Sequence, residues 1–224
     1  MPDLGLSRAE LLALKPSWRG WIHTVAAPLA LVAGIVLVTI APGADRKIVC
    51  AIYALTGLTL FSVSAVYHRG NWSARTKAVL KRIDHTNIMF VIAGTYTPLS
   101  WVLLPRDTGV LLLYLVWPGA ILGVLFRVLW VGAPRWLYVP IYVVLGCAAF
   151  LFLPQFFAAS VPAAILICIG GAFYIAGAVF YGIRRPNFSW KHFGFHEFFH
   201  AFTVAGFAVH FAAIIVAVLN APVA

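Results

Sequence analysis

The chain is short of charge. Only 10% of its 224 residues are Asp, Glu, Lys or Arg, and the acids number 6. A soluble domain of this size carries about a quarter charged residues, so this composition excludes a soluble globular enzyme, a disordered chain and a coiled coil. Cysteine is scarce as well. Cys50, Cys147 and Cys168 lie in or beside apolar segments, form no CxxC pair and are odd in number, which excludes a disulfide framework and leaves small apolar packing as their role. The polar alternation that a β-barrel needs is absent. The stretch from Leu4 to Leu14 is too short and too interrupted for the apolar core of a signal peptide, so the first span is expected to be a retained helix. There is no repeat of fixed period and no low-complexity tract, and the connections between apolar runs are too short to fold independently.

What the chain has instead is apolar length. Hydrophobic residues make up 63%, and the mean hydropathy is +0.97. About 20 apolar residues cross a bilayer as a helix. Seven such runs can be read, at 22–41, 48–67, 86–104, 109–127, 136–153, 161–181 and 196–219. The spacing predicts an all-α, polytopic membrane protein, a seven-transmembrane-helix bundle over residues 21–224 behind a cytoplasmic N-terminal segment, residues 1–20. The weakest boundary is the tight turn at Arg106–Asp107. The pI near 10.0 would suit nucleic acid, but the Lys and Arg residues sit in short gaps between apolar runs, as orientation determinants do, and no nucleic-acid partner is expected. With seven spans, 13 of the 16 basic residues fall on one side (Arg8, Lys15 and Arg19 among them), against Arg46, Lys47 and Arg106 on the other. That bias puts the N-terminus in the cytoplasm and the C-terminus outside.

Ionisable groups in or beside membrane spans are costly and therefore candidates for function. Ser64 and His68 end the second run, Asp84 and His85 open the third, and His196-Glu197-Phe198-Phe199-His200 open the seventh. Seven alternating spans deliver all of them to one membrane face. His196 and His200 are four residues apart and share a helix face, so both imidazoles can reach one ion, and His68 supplies a third nitrogen. Three protein ligands and one vacant position describe a catalytic zinc. Zn2+ is therefore the expected cofactor, with Asp84 placed to hold or deprotonate a water on the metal. Ser64, one turn deeper than His68 on the same face, is placed to hydrogen-bond that water or a substrate carbonyl. His23 and His192 read as interfacial anchors, His85 as a packing or headgroup contact, and His210 as a polar contact between helices, about 15 Å deeper than His200.

Read literally, His196 to His200 is HExxH, the zinc-protease signature in which Glu is the general base. An intramembrane protease is thus an alternative. Against it, the motif opens the last span, so no later helix can supply a carboxylate ligand. There is no Leu-Asp-Gly triplet, and a third His with a separate Asp already completes a site. Glu197 then reads as a supporting or loop-facing residue.

Three blocks carry a resemblance. Ser64-Ala-Val-Tyr-His68, then Lys81-Arg-Ile-Asp84-His85-Thr-Asn-Ile88 continuing to Ile92-Ala-Gly-Thr-Tyr-Thr-Pro98, and finally His196-Glu-Phe-Phe-His200 with His210-Phe211 resemble, in order and spacing over about residues 20–219, the hemolysin III family. That family is similar to the progestin and adipoQ receptors and more distantly to alkaline ceramidases. The resemblance implies a seven-helix bundle with a cytoplasmic-side zinc on His68, His196 and His200, Asp84 near the bound water and Ser64 beside it. It also implies membrane lipids as partners, a role in lipid-amide hydrolysis (ceramide-like) or in membrane composition and fluidity, and location in a bacterial inner (plasma) membrane. Two non-enzymatic readings stand beside it. One is a sensor or structural protein whose zinc pins helices together. The other is a pore, which would need a polar stripe through several spans that the sequence does not contain.

Overall fold

The computed structural model describes residues 15–220; Arg8 and the Leu4–Leu14 stretch lie outside them. The regular structure of the described residues is helical, apart from one isolated bridge between Ser189 and Phe193. In chain order the helices are α1 (Trp21–Ile40), α2 (Ala44–Arg69), α3 (Ala74–Leu103), α4 (Arg106–Leu129), α5 (Arg135–Gly146), a 3-10 segment (Cys147–Phe152), α6 (Leu153–Ala159), α7 (Val161–Ile183) and α8 (Phe195–Asn220). Six stretches are long and apolar enough to cross a membrane: α1, α2, α4, the composite Arg135–Ala159, α7 and α8. The outward faces are apolar. On α4, Leu129 is 84% exposed while Arg127, two residues earlier, is 2% exposed. A water-soluble helix has the opposite pattern, and the chain is a polytopic helical membrane protein.

The helix α3 stands apart from those six. At 30 residues it is the longest helix, yet Thr86, Asn87, Thr95, Thr97 and Ser100 are among its buried residues. It packs against α2, α4, α5 and α8, so its polar groups face protein. Three of its threonines return their hydroxyls to carbonyls three or four residues back, as with Thr95 to Val91 at 2.7 Å, and Asn87 reaches the Thr59 carbonyl of α2 at 3.4 Å. The apolar run 86–104 understated this helix. It begins a dozen residues earlier, capped by the Ser73 hydroxyl, which accepts from the Thr76 amide at 3.2 Å. Asp84 and His85 therefore lie inside α3 and do not open it.

The run 136–153 also differs from an unbroken helix, since α5 gives way to the 3-10 segment at Cys147. Backbone groups freed inside a membrane must find partners within the protein. Tyr96 of α3 provides them: its hydroxyl donates to the Gly146 carbonyl at 2.6 Å and accepts from the Ala149 amide at 2.8 Å. By contrast the link from α3 to α4 needs only Leu104 and Pro105, with Pro105 capping α4.

The bundle closes on itself. Consecutive helices pack side by side from α1 to α4, α7 packs on α8, and α8 returns to touch both α1 and α3. Small residues allow the close approaches. At Gly57 of α2 a Cβ would lie 2.2 Å from the Phe207 ring of α8. The same ring stacks on Tyr53 at 4.7 Å, and the Tyr53 hydroxyl donates to the Phe207 carbonyl at 2.8 Å. The starts of α1 and α8 are tied together at one end of the bundle. The Ser17 and Trp18 amides donate to the Lys191 and His192 carbonyls at 3.0 and 3.3 Å. Gly20, at φ +84°, then turns the chain into α1, where a Cβ would lie 2.8 Å from that of His68.

Candidate metal centre

The site forms where the ends of α2 and α8 meet. On α2 the buried residues Gly57, Leu60, Phe61, Ser64 and His68 recur every three or four positions, which puts His68 at the inner edge of the helix end. On α8, His196 and His200 are one turn apart. Among the described residues they form, with His68, the one group of three metal-capable side chains, with ligand atoms all within 4.8 Å of one another. The rings are 4.6 to 5.0 Å apart, centroid to centroid. The His68 Nε2 lies 3.3 Å from the His196 Nε2. A tetrahedral ion with Zn–N bonds of about 2.0–2.1 Å sets two ligand nitrogens about 3.3 Å apart. A hydrogen bond would account for that pair alone; it would not account for a third imidazole nitrogen within 4.8 Å of both. The all-imidazole donor set suits zinc, copper, iron or nickel, so the residues present fit the ion expected from the sequence.

Ser64 and Asp84 join His196 and His200 in lining a cavity of about 550 Å³. Ser64 and Asp84 thus face the same space as two of the three histidines. The His85 Nδ1 sits 2.8 Å from the Lys81 carbonyl and 3.6 Å from the Asp84 Oδ2. This ring thus lies beside Asp84 and packs edge-on against Tyr138 at 6.1 Å. His210 is a helix contact, its Nε2 3.1 Å from the Ile167 carbonyl of α7. His192 is at the exposed end, 2.9 Å from the Ser17 hydroxyl.

One residue occupies a place the sequence reading did not assign it. His23, read as an interfacial anchor, is 2% exposed. It stacks on His200 with centroids 4.0 Å apart and planes 17° apart. Neither of its nitrogens makes a hydrogen bond of ordinary geometry. His23 is not among the three side chains whose ligand atoms cluster, and it packs face to face on one of them. A signal for its burial was present: His23, Ala26, Ala30, Gly34 and Leu37 form the inward stripe of α1. Glu197, read as a supporting or loop-facing residue, is 1% exposed. Its carboxylate is paired with the Arg19 guanidinium and accepts from the Gly194 amide at 2.9 Å. Both partners hold the carboxylate at the helix start, where the macrodipole also favours it. No comparable signal marked this pairing, because it links a turn to a helix 178 residues away.

Three spaces adjoin one another at the site. A basic cleft of about 1760 Å³ at the end of the bundle shares His85, Tyr138, Tyr181 and His196 with the central cavity. The central cavity shares Leu60, Ile88, Tyr142, Ala178, Phe199 and Thr203 with an apolar cavity of about 1070 Å³, whose lining reaches Ile167 and His210. A polar mouth, a candidate ion site and an apolar chamber thus follow one another.

Residues 12–211 match the family described as haemolysin-III related. Among curated proteins, the chain is 30% identical over 173 residues to a hemolysin-3 homolog of Bacillus subtilis (strain 168), covering 76% of this chain and 78% of that protein. It is 26% identical over 201 residues to hemolysin-3 of Bacillus cereus, covering 88% of this chain and 89% of that one. The matched span takes in α1 to α7 and the triad on α2 and α8, and the chain belongs to the haemolysin-III related family.

Proposed function

We propose that this protein is a seven-span plasma-membrane protein that binds zinc at His68, His196 and His200 and hydrolyses an amide bond in a membrane lipid. The seventh span is α3, whose polar groups are spent inside the bundle. The bias of basic residues supports a cytoplasmic N-terminus and a C-terminus outside, with the triad near the cytoplasmic leaflet. The observation that carries the reading is the convergence of three imidazoles, two of them 3.3 Å apart, at the junction between a polar cleft and an apolar chamber. An amphiphile with a scissile bond between headgroup and chain matches that sequence of spaces.

Zinc, when bound, polarises a carbonyl and lowers the pKa of water. The remaining work belongs to side chains. The apolar chamber holds the acyl chain and excludes water. Asp84 accepts the proton released as the carbonyl carbon gains oxygen, and returns it to the amine nitrogen as the C–N bond breaks. Ser64, which lines the same cavity, is placed to hold the Asp84 carboxylate in register. Glu197 cannot serve as that base, because Arg19 and the Gly194 amide occupy its carboxylate, which argues against the HExxH protease reading.

Metal analysis of purified wild type beside His68→Ala and His200→Ala tests the ion, and about one zinc per chain, lost in both variants, is expected. Long-chain ceramides and other N-acyl lipids test the chemistry, with fatty acid release that a chelator abolishes as the expected result. Stoichiometric zinc with no release from any lipid, and lower thermal stability in the variants, would instead favour a structural or sensing role, in which the ion pins α2 to α8.

A further inference from the structure

The cleft that leads to the triad is unusual in its charge. Lys15, Arg19, Lys77, Lys81, Arg127, Arg135 and Arg184 line it, and none of its described lining residues is Asp or Glu. Orientation in the membrane explains why cations lie at this end of the bundle, but not why some are withdrawn from water. Arg127 is among the largest fully buried side chains. It lies over the Tyr138 ring at 4.3 Å and donates weakly to the Trp130 carbonyl at 3.4 Å, and its Nε has no partner. Arg135 lies over the Tyr181 ring at 4.3 Å and donates to the Tyr181 carbonyl at 3.2 Å. Among the described residues neither guanidinium has a carboxylate within ion-pair distance. A buried cation without a counter-charge is costly, and an arginine fork recognises phosphate or carboxylate oxygens in two-point contact. Crowding acts on Lys15 at the rim too, where burial, then Arg19, Arg69 and Lys77, lower its ammonium pKa.

We propose that this cleft binds a phosphate group, held by Arg127, Arg135 and Lys81 beside the triad, so that the polar half of the substrate carries phosphate. Tyr138 and Tyr181, the two rings beneath the guanidinium groups, also line the central cavity, so a phosphate on these arginines stands next to the candidate ion site. The proposal rests on the lipid-hydrolase reading for what lies beyond the phosphate, but its test requires no turnover, so the two can fail separately.

Full-length protein in neutral detergent is titrated with short-chain phosphatidic acid, with phosphatidylcholine of the same chain length and with inorganic phosphate, and zinc content is measured on the same samples. Phosphatidic acid is expected to bind at least about tenfold more tightly than phosphatidylcholine. Arg135→Gln and Lys81→Gln, changes at half-buried positions, are each expected to weaken phosphatidic acid severalfold without reducing zinc content. If inorganic phosphate displaces the lipid at similar concentration, the site takes phosphate from solution as readily as from a headgroup; if it displaces only at much higher concentration, the lipid is the source. Equal binding of the two lipids, or unchanged phosphatidic acid affinity in both variants, would overturn the proposal. Absent zinc with preserved lipid discrimination would overturn the hydrolase reading alone.

Discussion

His23 lies face to face with His200, the ring centroids 4.0 Å apart and the planes within 17° of each other. The far side of the pair is closed by Phe61, edge-on to His23 at 5.1 Å. An imidazole clamped in this way keeps its nitrogens aimed at one point before any ion arrives, and such support from outside the ligand set is worth tenfold or more in metal affinity elsewhere.

His23→Ala is therefore expected to weaken zinc binding on the order of tenfold, with all three ligands intact, in competition against a chromophoric chelator. His23→Phe keeps a flat ring on His200 and should recover most of the loss. Equal affinity for wild type and His23→Ala would reduce the stack to packing.

The Arg19–Glu197 pair predicts a different failure. Removing one partner of a buried pair leaves an uncompensated charge, at a cost of about 3–5 kcal/mol. Arg19→Ala should lower thermal stability by about 3 kcal/mol, and Arg19→Lys by less. Glu197→Gln should cost some stability yet keep chelator-sensitive lipid hydrolysis, whereas Asp84→Asn should keep the metal and lose hydrolysis. The reverse pattern would make Glu197 the base.

Tyr96→Phe removes both partners of the break after α5, the bonds to the Gly146 carbonyl and the Ala149 amide. Leaving such groups unmet costs about 1–3 kcal/mol each. The expected result is a loss of about 2 kcal/mol in thermal unfolding, with faster amide hydrogen exchange confined to residues 146–152. Unchanged exchange there would mean that the break is held by other contacts.

Most of the helices were legible because hydrocarbon imposes a length and a composition that local sequence displays directly. The last run, read as 196–219, agrees with Phe195–Asn220 to one residue at either end. The start of α3 was not legible, since Arg75, Lys77, Lys81 and Arg82 make its first turns polar and conceal a helix that continues beyond the apolar run. The break at Cys147 was not legible either, because its stabilising partner, Tyr96, lies 50 residues earlier. In the site, His196 and His200 declared themselves by spacing. The burial of His23 could be read from the stripe it shares with Ala26, Ala30, Gly34 and Leu37, but its stacking on His200 could not, because that contact exists only once α8 packs on α1. Long-range pairing of single residues carries no period, and this is where sequence reading stops.

The triad also has a temporal consequence. Its donors sit on α2 and α8, with 128 residues between His68 and His196. During synthesis the earlier helix must wait, its imidazole lacking companions, until the final helix has emerged and docked. If the triad binds metal, capture of the ion would report that the whole polypeptide has been made and assembled, since a chain truncated before α8 lacks two of the three imidazoles.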